Sequence, residues 1–384
     1  MNNCIGIDAL SGSPVAVGFS TVIQAVDPLL AAPHGASYLS PGWVDIQVNG
    51  FAGADYCAPD TPVDKIAHSI EVLWSTGVTR LFPTVITGSA DFMAGAIRNL
   101  TRAKAALPLH GRSMDGFHIE GPHISAEEGP RGAHPIAAVR APDIEEFKRW
   151  MGISDGLVKM ITIAPEWPGA CGYIEHAVSQ GVVMAIGHTN ANRRQITDAV
   201  SAGATISTHL GNGAHKFILR HPNYIWDQLA EDRLCASFIV DGIHLTETYL
   251  RVALRAKGIE RSVLTTDAVM PAGCEPGHYR LGEVDVELHP GADRVTLVGQ
   301  ERLAGSALRM EKGVENLMKQ ADLNLNEAIT MASRNPARCG RVAGRLRGIA
   351  PGEKADLISF DFDAPSKSIT IRGVWMDGEA VYRN

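Results

Sequence analysis

Eight short, nearly continuous apolar runs recur between Trp43 and Thr266, with helical patterns between them, and nothing else restricts the possible folds so sharply. They predict strands at Trp43–Val48, Arg80–Val85, Met114–Ile119, Val158–Ala164, Val182–Ile186, Ala204–Thr208, Cys235–Val240 and Ser262–Thr266. A strand apolar on both faces must be covered on both, as in a parallel sheet flanked by helices. Of the intervening helices, one is capped at Thr61-Pro62 and runs to Trp74 before Gly77; another opens at Thr246 and ends at Gly258. Eight such units in series predict an α/β fold of the (β/α)8 TIM type rather than an open doubly wound sheet. No GxGxxG or P-loop follows any strand, which counts against nucleotide binding.

The two chain ends read differently. Before Trp43 lie short β-prone pieces (Val15–Val17, Ser20–Ala25, Ala36–Tyr38), and after Pro351-Gly352 come Ala355–Phe360, Ile369–Val374 and Ala380–Tyr382. Neither end makes a domain alone, so the two are expected to pair into a small β-sandwich domain. The expected division is residues 1–42 and 346–384 for that domain and 43–345 for the barrel, with a β insertion at about 275–303.

A formal charge of −7 with no basic stripe counts against nucleic-acid or membrane-surface partners. The six cysteines are scattered without a C-x-x-C pair, as expected of free thiols in a reducing cytoplasm. No positive residue precedes Lys65, and the apolar run near Val15 is broken by Gly18, Gln24, Asp27 and Pro28. A cytoplasmic protein is the expectation.

Barrel enzymes carry their chemistry where the strands run out at the C-terminal face. In order, those ends read Gln47-Val48-Asn49, Thr84, His118-Ile119-Glu120, Glu166, Gly187-His188-Thr189, Thr208-His209, Asp241-Gly242-Ile243-His244 and Thr266-Asp267. One histidine after a strand means little, but Glu, His, His and Asp converging on one rim form a pattern. Glu120, His188 and His209 suit a catalytic Zn²⁺ or Fe²⁺ with positions left open for water. Asp267 is placed to take a proton, and His244 to polarise a carbonyl oxygen.

The segments PGWVDIQVNG, GFHIEGPHI with RGAHP, AIGHTNA, STHLGN, DGIHL, LTTDA and LAGSALRM occur in that order, and PGEKADL follows near the C-terminus. Together they resemble the amidohydrolase superfamily, and within it the N-acetylglucosamine-6-phosphate deacetylase family. The resemblance implies hydrolysis of an N-acetylhexosamine 6-phosphate, with Glu120, His188 and His209 on the metal, Asp267 as base then acid, and His244 on the acetamide carbonyl. It further implies that Gln47, Asp241, Ala133 and His134, Asn212 and Gly213, and Leu303, Ala304 and Gly305 face the sugar phosphate. Arg220 falls where the family places an arginine that reaches a neighbouring subunit's phosphate, which implies a homodimer.

Many superfamily members carry H-x-H on the first strand to hold a second metal; here the pair is Gln47-x-Asn49, and neutral amides are poor Zn²⁺ ligands. The fourth strand ends in Ala164-Pro165-Glu166 with no lysine to bridge two metals, Lys159 lying at its wrong end. One divalent ion per subunit is therefore expected, with Glu166 the remaining candidate for a second site. Gly211 stands where the family commonly has an aromatic, and the run carrying His215, Lys216, His221 and Trp226 reads either as an altered pocket or as a lid whose aromatics pack on the barrel. His123 is expected to line the cleft. An amidohydrolase acting on an N-acyl-amino acid or a cyclic amide is the alternative activity, and a silent sugar-phosphate sensor the alternative class.

Overall fold

The computed structural model describes residues 2–282, 284–291 and 294–384. Its centre is an eight-stranded parallel sheet. The strands are β1 (Trp43–Val48), β2 (Val78–Ile86), β3 (Phe117–Glu120), β4 (Val158–Ile163), β5 (Val183–Ile186), β6 (Ala204–Ser207), β7 (Cys235–Ile239) and β8 (Ser262–Thr265), each bonded to the next. The sheet closes on itself: Asp267 N donates to Gln47 O (3.0 Å) and Asn49 N to Ala268 O (2.7 Å), joining the end of β8 to that of β1. All eight expected strands form, the boundaries moving by up to three residues; β3 begins at Phe117 rather than Met114 and includes Glu120.

The helices stand outside the barrel. Helix α1 (Val63–Ser75) follows β1, and its N-cap is Pro62; the Thr61 hydroxyl instead donates to Asp55 O (2.5 Å), which corrects the expected cap. Helix α2 (Glu247–Lys257) is capped as expected, Thr246 Oγ1 accepting from Tyr249 N at 3.2 Å.

The barrel lumen is layered. Val44, Ile46, Phe82, Met160, Val183, Ala185, Ile206 and Val263, drawn from six strands, form an apolar plug, closed below by Ala337 and Val342. Above it, His118 Nε2 meets Thr162 Oγ1 (2.8 Å), which meets Thr208 Oγ1 (2.7 Å), while His118 Nδ1 donates to Ile46 O (3.1 Å). Burial pulls the His118 pKa down to about 4, so this layer is neutral. Strand alternation then points Glu120 into the same lumen one layer higher.

The chain ends form one seven-stranded sheet, with strands 2–8, 14–19, 23–28 and 38–41 pairing with 357–363, 368–376 and 379–383. Phe19 and Trp375 lie four strands apart in its order, yet their ring centroids are 6.1 Å apart. Neighbouring strands are about 4.8 Å apart, so the sheet must fold over on itself, around Val15, Val17, Phe19, Leu39 and Leu357. The strand Asn2–Asp8 is additional to the expected pieces. A four-stranded antiparallel sheet, Gly277–Leu281 to Leu303–Ser306, is the insertion. Among the described residues no helix is long and apolar enough to cross a membrane.

A buried ion cluster ties the terminal sheet to the barrel. Arg80 on β2 donates from Nε to Asp356 Oδ2 (2.7 Å) and from Nη2 to Asp377 Oδ1 (2.7 Å), and Arg345 bonds the same Asp356 carboxylate. Burial alone would raise the Asp356 pKa, but the two guanidinium groups outweigh it and hold it at about 2. A depressed carboxylate contributes stability above its unfolded value of 3.8 and loses it as pH falls through about 2. Asp356→Asn leaves two buried guanidinium groups undercompensated and is expected to cost about 3 kcal/mol. Urea unfolding at neutral pH checks the loss, and the variant should also lack the wild-type decline in stability between pH 4 and 2.

Candidate active site

Of the strand-end residues singled out above, Gln47, Thr84, His118 and Glu120 lie within the last residues of their strands, and Glu166, His188, His209, His244 and Asp267 sit on the connections that leave the C-terminal rim. Three of them, His188, His209 and Asp267, have positive φ values of 50°, 27° and 49°. L residues seldom adopt that conformation, at a typical cost of 1–3 kcal/mol each, and it recurs where side-chain aim matters more than stability.

Glu120 Oε1 lies 3.1 Å from His188 Nε2 and 2.8 Å from His209 Nε2, and the two imidazole nitrogens are 3.2 Å apart. All three side chains are buried. Burial would push the Glu120 carboxyl up, but the hydrogen bonds and charges of the two histidines hold it well below the carboxylate range. For His209 burial acts downward, and its bond to Glu120 prevails and raises it. The donor set is thus a carboxylate and two imidazoles at mutual contact. Donors about 2.1 Å from a tetrahedral Zn²⁺ lie about 3.4 Å apart, close to the spacings found here.

His188 is fixed from behind. Its Nδ1–H donates to Pro130 O (2.8 Å), which leaves the Nε2 lone pair facing Glu120. Gly213, with φ 55°, permits the loop after His209 to close over the ring, since a Cβ there would lie 2.6 Å from His188 Nδ1. The His134 ring meets the His188 ring edge-on, with centroids 4.4 Å apart and planes at 64°, and its Nδ1 is bonded to Thr87 Oγ1 (2.7 Å). Donor atoms of Glu120, His134 and His188 also lie within 4.8 Å of one another, so His134 stands within ligand range as well as beside the pocket. The His209 set is the tighter of the two, and among the described residues its Nε2 has no hydrogen-bond partner outside the cluster.

Asp267 closes the site from β8. Its Oδ1 accepts two amide N–H bonds, from Gln47 Nε2 (3.0 Å) and Asn49 Nδ2 (2.6 Å). Burial, with the neighbouring Glu120 charge, raises its pKa to about 6. The amides that replace H-x-H therefore hold the aspartate by one oxygen, and Oδ2 has no hydrogen-bond partner among the described residues. Deeper in the same seam, Asp45 accepts from the Thr265 and Thr266 hydroxyls (2.8 and 2.5 Å) and secures the approach to Asp267. Both residues are expected from the sequence to be lost metal ligands, and Gln47 also a neighbour of the sugar phosphate; neither expectation includes this hold on Asp267.

His244 is oriented by Asp241, whose Oδ2 meets its Nδ1 at 2.5 Å while Oδ1 accepts from Ile243 N and His244 N, both 2.8 Å. Its Nε2 is left for another partner. Asn212 donates from Nδ2 to His209 O (3.3 Å), and Ser306 N donates to Asp267 O (3.1 Å), so the strand carrying Leu303, Ala304 and Gly305 runs beside the aspartate. Ala133 is joined to His134 at the same rim.

Other expectations need correction. His123 does not line the cleft: it is fully buried between Trp150 and Tyr173 (centroids 5.7 and 5.2 Å), its Nδ1 on Arg140 O. Glu166 is taken up in bonding Thr189 Oγ1 and Asn190 N, bracing the His188 loop instead of facing the donors. After His209, His215 is half-buried and bonds Glu127 (3.3 Å) and Tyr224 Oη (3.0 Å), but Lys216, Phe217, Leu219, Arg220 and His221 are exposed. Tyr224 packs on the barrel, whereas Phe217 and Trp226, 86% and 47% exposed, do not.

Residues 38–381 match the amidohydrolase family. The chain is 31% identical over 333 residues to the N-acetylglucosamine-6-phosphate deacetylase of Bacillus subtilis, covering 85% of this chain and 81% of that protein. It is likewise 31% identical over 346 residues to an N-acetylgalactosamine-6-phosphate deacetylase of Shewanella, covering 90% and 83%. Among solved structures, a mutant N-acetyl-D-glucosamine-6-phosphate deacetylase from Mycobacterium smegmatis, in complex with N-acetyl-D-glucosamine-6-phosphate, superposes with a TM-score of 0.88 at 29% identity, over 99% of this chain and all of that one.

Proposed function

The chain belongs to the amidohydrolase family, in its N-acetylglucosamine-6-phosphate deacetylase branch, and from that premise we propose that it hydrolyses the N-acetyl group of an N-acetylhexosamine 6-phosphate. The products are acetate and the amino-sugar 6-phosphate. The observation that carries this reading is the mutual contact of Glu120, His188 and His209 beside an aspartate held by one oxygen.

Glu120, His188 and His209 would hold a single Zn²⁺ or Fe²⁺. Such an ion supplies Lewis-acid activation of a water and of the amide carbonyl. The chain's own residues do the rest. Asp267 Oδ2, free because Gln47 and Asn49 occupy Oδ1, takes a proton from the attacking water. It then returns that proton to the amide nitrogen, which leaves poorly as an anion. His244, steadied by Asp241, presents Nε2 to the carbonyl oxygen as charge develops there. No second ion is proposed, since Gln47 and Asn49 are engaged with Asp267 and Glu166 with the loop after His188.

Ala133 and His134, Asn212 and Gly213, and Leu303 to Gly305 would border the sugar. Arg220 is exposed and its side chain bonds nothing among the described residues, which fits a role on a partner subunit's phosphate in a homodimer. Acetate release from N-acetylglucosamine 6-phosphate, from its galactosamine counterpart and from the unphosphorylated sugars tests the substrate. The phosphorylated forms should be preferred by at least about 100-fold in kcat/KM, a difference of about 3 kcal/mol. Arg220→Ala should remove most of that preference, chiefly through KM. Equal rates on the unphosphorylated sugars, or an N-acyl-amino acid turned over faster, would overturn this choice of substrate.

A further inference from the structure

We propose that Glu127 and His215 form a latch between two rim loops, and that it positions the loop carrying Asn212, Gly213 and Arg220 for the sugar phosphate. The proposal rests on the substrate reading above. Both residues act through that loop and are positioning residues.

Glu127 stands on the loop after β3, the strand that ends at Glu120. Its Oε1 and Oε2 each accept from Asn190 Nδ2 at 3.0 Å, on the loop after β5. His215 Nε2, on the loop after β6, lies 3.3 Å from Oε2. One carboxylate on the loop that follows Glu120 therefore meets the loops that carry His188 and His209. The His215 tautomer follows from its other partner. Tyr224 Oη accepts from His215 N (2.8 Å), so its own proton is directed at His215 Nδ1 (3.0 Å). The ring proton is then on Nε2, facing Glu127. Close backbone packing supports the contact: a Cβ on Gly129 would lie 2.8 Å from His215 Cα, and one on Gly213 3.1 Å from Pro130 O.

The two loops that this carboxylate reaches differ in their other supports. The loop after β5 is braced by Glu166 through Thr189 Oγ1 and Asn190 N, and His188 itself by Ser125 N and Pro130 O. Between Gly213 and Asn223, by contrast, His215 is the only side chain with a polar contact to another rim loop among the described residues. Beyond it Lys216 to His221 are exposed, and Asn223 Nδ2 ties the Leu219 and Arg220 carbonyls (3.0 and 3.3 Å) only to the start of the next helix. Losing Glu127 should thus leave the donors aimed and free the loop after β6. A loop in place for part of the time weakens apparent substrate binding by that fraction, whereas the complex, once formed, reacts as before.

The test is steady-state deacetylation of N-acetylglucosamine 6-phosphate by the metal-loaded wild type, Glu127→Ala, His215→Ala and the double variant. Each single change should raise KM about fivefold, with kcat within about twofold and metal content unchanged. The double variant should be no worse than the worse single one, because either change opens the same latch. Amide hydrogen exchange over residues 210–223 should quicken in all three variants. Exchange is read without substrate: if the wild type is inactive on this sugar, the substrate reading fails alone and exchange decides the latch. Since Glu127 is exposed, its removal should barely move the unfolding midpoint. Unchanged exchange over 210–223, an unchanged KM, metal lost with kcat, or a double variant about 25-fold worse, the product of two independent effects, would overturn the proposal.

Discussion

Asp267→Asn should lower kcat by about 10³-fold or more, about 4 kcal/mol of barrel-bound transition-state stabilisation, while the metal stays bound and KM changes by less than about threefold. The substitution is isosteric, and the amide oxygen can still accept from Gln47 Nε2 and Asn49 Nδ2, which now hold Oδ1 at 3.0 and 2.6 Å. The NH₂ group then stands where Oδ2 was, and an amide nitrogen can neither take the water's proton nor deliver one to the leaving amine. Both proton transfers fail together, so the loss should exceed that of a residue serving only one. Acetate release alongside metal analysis checks this. Metal lost with activity would make Asp267 a ligand and would overturn the division of roles.

The second large effect is expected at Glu120. Glu120→Gln removes the only anionic donor of the cluster and leaves two neutral imidazoles and an amide, a poor set for a hard or borderline dication. Metal content should fall below about a tenth of the wild-type value, and activity with it. Excess Zn²⁺ should restore only part of the rate. The contrast with Asp267→Asn is the informative part: one variant is inactive with metal, the other for want of it. A Glu120→Gln protein that binds metal normally would remove Glu120 from the ligand set, and His134, already within 4.8 Å of the donors, would need to be considered in its place.

The barrel was legible because strands buried on both faces become unbroken apolar runs, which survive uncertainty about where each begins. The strand Asn2–Asp8 was not, since NNCIGID carries a glycine and two asparagines and is half exposed, so it lacks the apolar pattern. The gathering of Glu120, His188, His209 and Asp267 was legible for a related reason: each stands at the end of an apolar run, and a closed barrel gathers strand ends on one rim. What aims them was not. The Pro130 carbonyl on His188 is a backbone group, and a backbone acceptor leaves no mark in residue identity. His123 shows the converse, because a histidine three residues past Glu120 reads alike whether it faces a cleft or lies between Trp150 and Tyr173. The pair Gln47 and Asn49 falls between these cases. That neutral amides are poor ligands for a second metal follows from chemistry alone, whereas their hold on Asp267 required knowing that β1 and β8 are neighbours.

The account rests on one cation per chain doing the chemistry at Glu120, His188 and His209. Its most direct test strips the purified protein with a strong chelator and adds Zn²⁺ or Fe²⁺ back in measured steps while acetate release is followed. Activity should vanish on stripping and climb linearly to its plateau at one equivalent per chain. Undiminished hydrolysis by the stripped protein, or a plateau reached only at two equivalents, would contradict it.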